Sequence, residues 1–442
     1  MNSLRLTLLA VCSTAALATS AAAQAPVRLT LDDAIARGQS TSHRLGELAA
    51  RQQGAEAAVQ GRHAASMPQL SALAGYTRTN HVDEFGIVRP TTPPTFQVIY
   101  PDVPDNLRTR LDFQWPIFTF GRLDALERAA KAEASATGFD LAAARNDLKL
   151  EITRAFWAVV TANENVRVLD ESLKRMDSSL ADMRNRFKVG LIPPNDVLSM
   201  EAERSRQEML SIVARNNAEQ AASDLRRLTG LAPDATVEVD AQLDVALKPE
   251  PPVDQLVLAA RGARSDRKAL ETRVQGAGER LDAAAANKRP VISLGGGVDY
   301  ARPNQRIFPR TEEWKPSWDA SVNFSWTFWD FGRVQADIAE ARAGERAVRE
   351  RLADFDTVLD AEVRQRRLDL QSATSAISPA DDAVRAATEA RRVVSERYTS
   401  GVATATEVLD AQVALLQASF NRTLALANVR LAEARLDRAL GR

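Results

Sequence analysis

Residues 113–122 read FQWPIFTFGR, and residues 324–333 read FSWTFWDFGR. The offset is 211 residues. It recurs further along: RFKVG at 186–190, followed by Asp196, Val197 and Leu198, returns as RYTSG at 397–401, followed by Glu407, Val408 and Leu409. Two landmarks holding one offset mean that the stretch between them repeats without net insertion. An internal duplication constrains the architecture before any other signal, because both halves must reach the same order of elements.

The first repeat covers 24–230 and the second 253–442, with a polar, proline-bearing connector at 231–252 that holds a short strand at Thr236–Val239. Each repeat reads as a helix, two strands, a long helix, a tip and a return helix. The leading helices span 30–65 and 253–287. Thr30 and Asp33 form an acidic capping box at the start of the first. Strands are predicted at 69–79, 107–118, 291–300 and 318–329, joined within each repeat by proline-rich loops. The long helices run over 121–188 and 332–399, 68 residues each, roughly 100 Å if unbroken. Pro379 interrupts the second, with Ser378 as a cap for a restart or a kink as the alternative. Return helices follow at 195–229 and 406–440.

The strands alternate. Leu70, Ala72, Ala74 and Tyr76 share a face, as do Leu107, Leu111, Phe113, Trp115 and Ile117. Ile292, Leu294, Val298 and Tyr300 form a third stripe, and Trp318, Ala320, Val322, Phe324, Trp326 and Phe328 a fourth. Arg108, Arg110, Asp112, Asp319, Asn323 and Ser325 stand opposite. Period two with one polar face places a strand between an apolar phase and a wet one. About ten residues is the span of a tilted outer-membrane strand. The same alternation fits a half-buried soluble sheet, but the N-terminus favours the membrane. Residues 1–23 read as an export signal, with an apolar run from Leu6 to Ala18 and small residues at Ala21–Ala23 before Gln24. Cys12, the sole cysteine, lies inside that signal behind Val11, a poor lipidation context, so neither a lipid anchor nor a disulfide is expected.

Four strands cannot close a barrel, and an open edge is not tolerated in lipid, so several copies must share one. Two copies or three would serve. With 57 basic and 58 acidic residues, charge gives no support for nucleic-acid binding. The sequence has no Gly-rich phosphate loop, and its histidines, His43, His63 and His81, read as surface or loop residues. No enzyme activity, cofactor or metal is expected.

The duplicated element order, the Phe-Gly-Arg exits at Phe120–Arg122 and Phe331–Arg333 and the two glycine tips resemble the outer membrane efflux protein family, the TolC-like exit ducts. The resemblance covers nearly all of the chain after the signal. It implies an α/β membrane protein with internal duplication: a trimeric twelve-stranded outer-membrane β-barrel continued by a twelve-helix periplasmic α-barrel with an equatorial girdle. It implies partners in a periplasmic adaptor protein and an inner-membrane pump of RND or ABC type, and the export of small molecules such as drugs, toxic compounds or metals. A type I protein-secretion channel is the alternative, and a structural or adhesive coiled-coil surface protein is the rival of another class. The resemblance places adaptor contacts at Val189, Gly190, Leu191, Gly401 and Val402. It places acidic entrance rings at Glu407 and Asp410, and a closing lock at Tyr398 and Asp196, with Ala403 where a basic lock residue is usual. Arg108, Arg110, Asp112, Asn323 and Ser325 would line the barrel lumen.

Overall fold

A computed structural model describes residues 27–243 and 251–442. The expected export signal, with Cys12, lies outside the described residues. The chain runs β1 (Val27–Leu29), α1 (Leu31–Thr41), α2 (His43–Ala64), β2 (Gln69–Arg78), β3 (Phe85–Arg89), β4 (Thr95–Tyr100), β5 (Asp105–Phe118) and α3 (Arg122–Lys188). It continues with α4 (Pro194–Thr229), β6 (Val237–Val239), α5 (Val253–Ala263), α6 (Ser265–Ala286), β7 (Val291–Arg302) and β8 (Lys315–Ser325). It ends with α7 (Arg333–Ser375), α8 (Ile377–Thr399) and α9 (Ala405–Ala439). None of these helices is long and apolar enough to cross a membrane.

Two units are distinguished. The described part of the first consists of 27–41, 152–243 and 378–427. The short strand of the connector pairs here in parallel with β1, Val27 opposite Val237 and Leu29 opposite Val239. Phe156, Ile152, Leu169, Met176, Met183 and Met200 are its largest fully buried side chains together with Leu225 and Gln207. Thr30 and Asp33 do form the acidic capping box: Asp33 N donates to Thr30 Oγ1 at 3.2 Å, and Thr30 N donates to Asp33 Oδ2 at 3.4 Å.

The described part of the second unit consists of 42–151, 251–377 and 428–442. It holds a four-stranded antiparallel sheet in the order β2-β5-β7-β8. The register decides which stripes meet. Leu70 faces Phe113, Tyr76 faces Leu107, Leu111 faces Val298, and Val298 in turn faces Trp318. Directly paired residues point to the same side, so the four apolar stripes form one continuous face. The polar residues between them share the other. A helical core backs this unit, with Leu256, Leu359, Val363, Leu370, Val429, Leu436 and Leu440 in contact.

Several elements differ from the sequence reading. The first proline-rich loop contains a hairpin, β3 with β4. Pro90, Pro93 and Pro94 sit in its turn and Pro101 after it, so no proline interrupts the ladder. The strand expected at 318–329 starts at Lys315 and stops at Ser325. Trp326 lies beyond it, its indole N–H donating to Lys288 O at 3.0 Å. The leading helices each break once. Ser42 ends α1 and caps α2, its Oγ accepting from Leu45 N at 3.3 Å. Arg264 leaves helical geometry between α5 and α6 at ψ 117°. The second long helix breaks at Ala376, and Pro379 falls in the first turn of α8, where its missing N–H has no intrahelical partner to lose.

The Phe-Gly-Arg exits have a backbone reason. Phe120 and Phe331 have φ of 50° and 53°, and the following Gly121 and Gly332 have φ of 83° and 89°. Two consecutive left-handed residues turn the chain into the helix, and the second is glycine because that region costs it nothing.

Candidate functional site

The tips are two copies of one turn. After α3, Gly190 N donates to Phe187 O and Leu191 N to Arg186 O, both at 2.9 Å. After α8, Gly401 N donates to Tyr398 O at 3.1 Å and Val402 N to Arg397 O at 2.9 Å. This is the Schellman arrangement that satisfies the last helical carbonyls. The glycines have φ of 75° and 78°, and a Cβ at either would meet nothing within 4 Å. Conformation, not crowding, therefore selects glycine. Val189, Leu191 and Val402 are exposed at the turns.

Beneath the tips, all four neighbouring helices contribute to one apolar cluster. Met176, Leu180 and Met183 come from α3, Val197 and Met200 from α4, Tyr398 from α8, and Ala405 and Val408 from the start of α9. Ala403 packs on its edge. The Arg186 guanidinium lies 5.5 Å from the centre of the Tyr398 ring and donates to Thr399 O at 3.3 Å, tying one tip to the other. Sequence reasoning did not single out Arg186, since nothing local reveals a contact between hairpins.

Tyr398 and Asp196 lie near one another, but no hydrogen bond joins them within the chain. The Tyr398 hydroxyl is buried without a hydrogen-bond partner. Burial, then the nearby Asp196 charge, push the phenol above its ordinary pKa, so it stays neutral. A buried unpaired hydroxyl costs about 1–3 kcal/mol. Tyr398→Phe is therefore expected to leave the thermal midpoint unchanged or raise it. A clear fall in that midpoint would show that the hydroxyl is bonded.

Glu407 is engaged at the start of α9. Thr404 N and Thr404 Oγ1 both donate to Glu407 Oε1 at 3.1 Å, and Glu407 N donates to Thr404 Oγ1 at 3.3 Å. These bonds from the Thr404 backbone and hydroxyl hold the carboxyl below its ordinary pKa. Arg397 stays within its own tip, 3.8 Å from Glu407 and donating to Val402 O at 3.3 Å. Asp410 is exposed one turn further on.

The polar face of the sheet carries a second constellation. Arg110 on β5 donates through Nε to Asp112 Oδ1 at 2.5 Å, through Nη1 to Asp299 on β7, and through both terminal nitrogens to Asp319 on β8 at 2.9 and 3.2 Å. Arg108 Nε donates to Asp299 Oδ1 at 2.6 Å. Arg110 reaches β8 by crossing β7 over Gly297, where a Cβ would sit 2.7 Å from Nη2. Asp299 was missed in the sequence, although its alternate position with Gly297 and Gly295 was the available signal. Asn323 and Ser325 share this face but lie further along β8, opposite Ser293 and Val291. The structure does not bring them to the arginines.

Among the described residues no group of three His, Cys, Asp or Glu could hold a metal ion. His63 pairs with Glu127 at 3.0 Å and His81 with Asp102 at 2.6 Å, each on its own.

The model of the family described as "Outer membrane efflux protein" matches residues 34–231 and 256–442. The outer membrane protein TolC of Vibrio cholerae serotype O1 is 22% identical over 396 residues, covering 89% of this chain and 86% of that protein. Among solved structures, the outer-membrane channel OprN aligns with a TM-score of 0.77 at 19% identity, covering 93% of this chain and 89% of its own. VceC of Vibrio cholerae aligns at 0.76 and 19%, covering 93% and 96%. CusC aligns at 0.78 and 18%, covering 94% and 93%.

Proposed function

The chain belongs to the outer membrane efflux protein family, and from that premise we propose how its tips and its sheet work. It is the outer-membrane exit duct of a tripartite transport system, with a periplasmic extension. It is a channel and not an enzyme. Its general partners are an adaptor and an inner-membrane pump.

The finer reading is a homotrimer carrying small molecules, drugs, toxic compounds or metals, from a pump of RND or ABC type. The observation that supports its shared barrel is the two-faced sheet, whose register assembles four apolar stripes on one side and the charged constellation on the other. The four strands leave β2 and β8 as open edges, which lipid does not tolerate. Three copies close them into twelve strands. The exposed tip residues Val189, Leu191 and Val402, beside Gly190 and Gly401, then form the adaptor contact. The cluster around Tyr398 and Asp196 must repack when the hairpins part, and its three methionines suit a core that deforms without leaving voids.

Glu407 and Asp410 form the entrance rings in this reading, three like charges to a ring, which attract cations in a narrow path. The Thr404 bonds keep Glu407 ionised to lower pH than a free carboxylate. Its capping contribution is thus complete above the ordinary carboxylate range and is lost as pH falls through the depressed value. Single-channel recording in planar bilayers is the test. Wild type is expected to conduct with cation preference that persists below the usual carboxylate pKa. The paired change Glu407→Gln and Asp410→Asn should abolish that preference, while glutamine keeps the cap. Unchanged preference would make both carboxylates helix-start residues only, and a wild type that forms no channels would overturn the conduit itself.

A further inference from the structure

The charged constellation on the sheet is layered, and the layering has a direction. Asp299 has a side-chain exposure of 9%, and Arg108, bonded to it, 61%. Asp319 is 24% exposed, and Arg306, 3.5 Å away, 52%. Arg110 is itself sunk between its three carboxylates. The acids therefore lie against the sheet, and two guanidinium groups stand over them.

Arg306 is held in place from the β7–β8 loop. Asn304, buried, donates to Lys315 O at 2.8 Å and to Ser317 Oγ at 3.0 Å, while its Oδ1 accepts from Arg306 N at 3.0 Å. Arg306 Nη1 then donates to Trp318 O at 2.7 Å. This folds the loop back onto the polar side of β8, the side that carries Ser317 and Asp319. On the same side, Gly297 keeps β7 low enough for Arg110 to lie across it. Arg110 brings Asp319 and Asp299 into one cluster beneath the two outer arginines.

We propose that this layer is an anion-attracting site in the barrel, formed by Arg108 and Arg306 and taking small multivalent anions such as phosphate-bearing or polycarboxylate solutes. The proposal rests on the reading of the polar face as the lumen. The constellation is neutral in sum, three arginines against three aspartates, so its field at a distance is weak. At contact range the order of the layers decides: a solute in the lumen meets exposed guanidinium donors, which suit oxyanions bidentately, before it meets any carboxylate. The barrel would then prefer the opposite sign to the acidic entrance.

Inorganic tripolyphosphate, added to the barrel side of channels in a planar bilayer, is the probe. Wild type should show concentration-dependent block of current. Arg108→Gln with Arg306→Gln should weaken that block at least tenfold, and the paired lysine changes, which keep the charge but lose the fork, should weaken it less than the glutamine changes. Arg306→Gln alone, on a loop outside the strand ladder, should weaken it several-fold, which keeps the test decisive if the double change impairs assembly. Equal block in wild type and in the glutamine variants would overturn the site, as would a conducting wild type that tripolyphosphate does not block. A wild type that forms no channel would instead sink the conduit reading on which the site depends.

Discussion

Arg264→Ala is expected to destabilise the chain by about 3 kcal/mol, the low end of the cost of breaking a buried ion pair, because Asp266 and Glu362 are partly exposed and keep Arg438 nearby. The Arg264 side chain is only 5% exposed. It holds Asp266 with Nε at 2.9 Å and Nη2 at 2.7 Å, and Nη1 donates to Glu362 at 2.9 Å and to Ala439 O at 3.2 Å. Arg438 also approaches Asp266 and Glu362, at 3.9 and 3.6 Å. One guanidinium thus joins the break between α5 and α6 to α7 and to the end of α9. Lysine cannot reproduce the fork, so Arg264→Lys should recover little. Burial by itself would raise the pKa of Asp266, but its bonds to Arg264 and the charges of Arg264 and Arg438 outweigh burial, and the net shift is downward. The stabilisation from this pair is complete above the unfolded carboxylate pKa and is lost as pH falls through the depressed folded value. The gap between wild type and Arg264→Ala should therefore narrow on acidification. Denaturation midpoints in detergent at neutral and acidic pH measure both effects. A loss below about 1 kcal/mol, in the range of exposed pairs, would show that the cluster is solvated.

An arginine at Val322 or Phe324 is expected to cost about 2–4 kcal/mol of insertion free energy near the membrane midplane, and an arginine at Asn323 close to nothing. The three residues are consecutive on β8. Val322 is paired with Leu294 and Phe324 with Ile292 on the apolar face, whereas Asn323 pairs with Ser293 on the polar one. All three are exposed in the chain, so packing within the chain does not explain a difference between them. Only the medium on each side of the sheet does. The yield of heat-resistant assembled protein in outer-membrane fractions reads the result. Equal yields from all three variants would remove the assignment of the apolar face to lipid.

Arg264 and the three residues of β8 mark different limits of the sequence. The faces of β8 follow from alternation alone, because side chains in a strand change sides at every residue. The tips were legible for a similar local reason. A glycine repeated at one offset after two helices points to a left-handed turn, and both turns carry it. The duplication pointed to a repeated order of helix, strands and long helix, though not to the β3–β4 hairpin or to the breaks in the helices.

What tertiary structure decided was everything that depends on register or on packing between distant segments. Asp299 meets Arg110 only because β7 pairs with β5 in one register of several, and Gly297 matters only once an arginine must cross it. The break at Arg264 has no proline or cap to announce it; beyond Asp266, its partners lie 98 and 175 residues away. Tyr398 and Asp196, matched as a lock by resemblance, lie close without a bond, since the helices around them close an apolar cluster over the hydroxyl. Periodicity is a property of neighbouring residues, and the chain displays it directly. Pairing partners are chosen by burial and electrostatics across the folded structure, and those energies exist only when the segments have met.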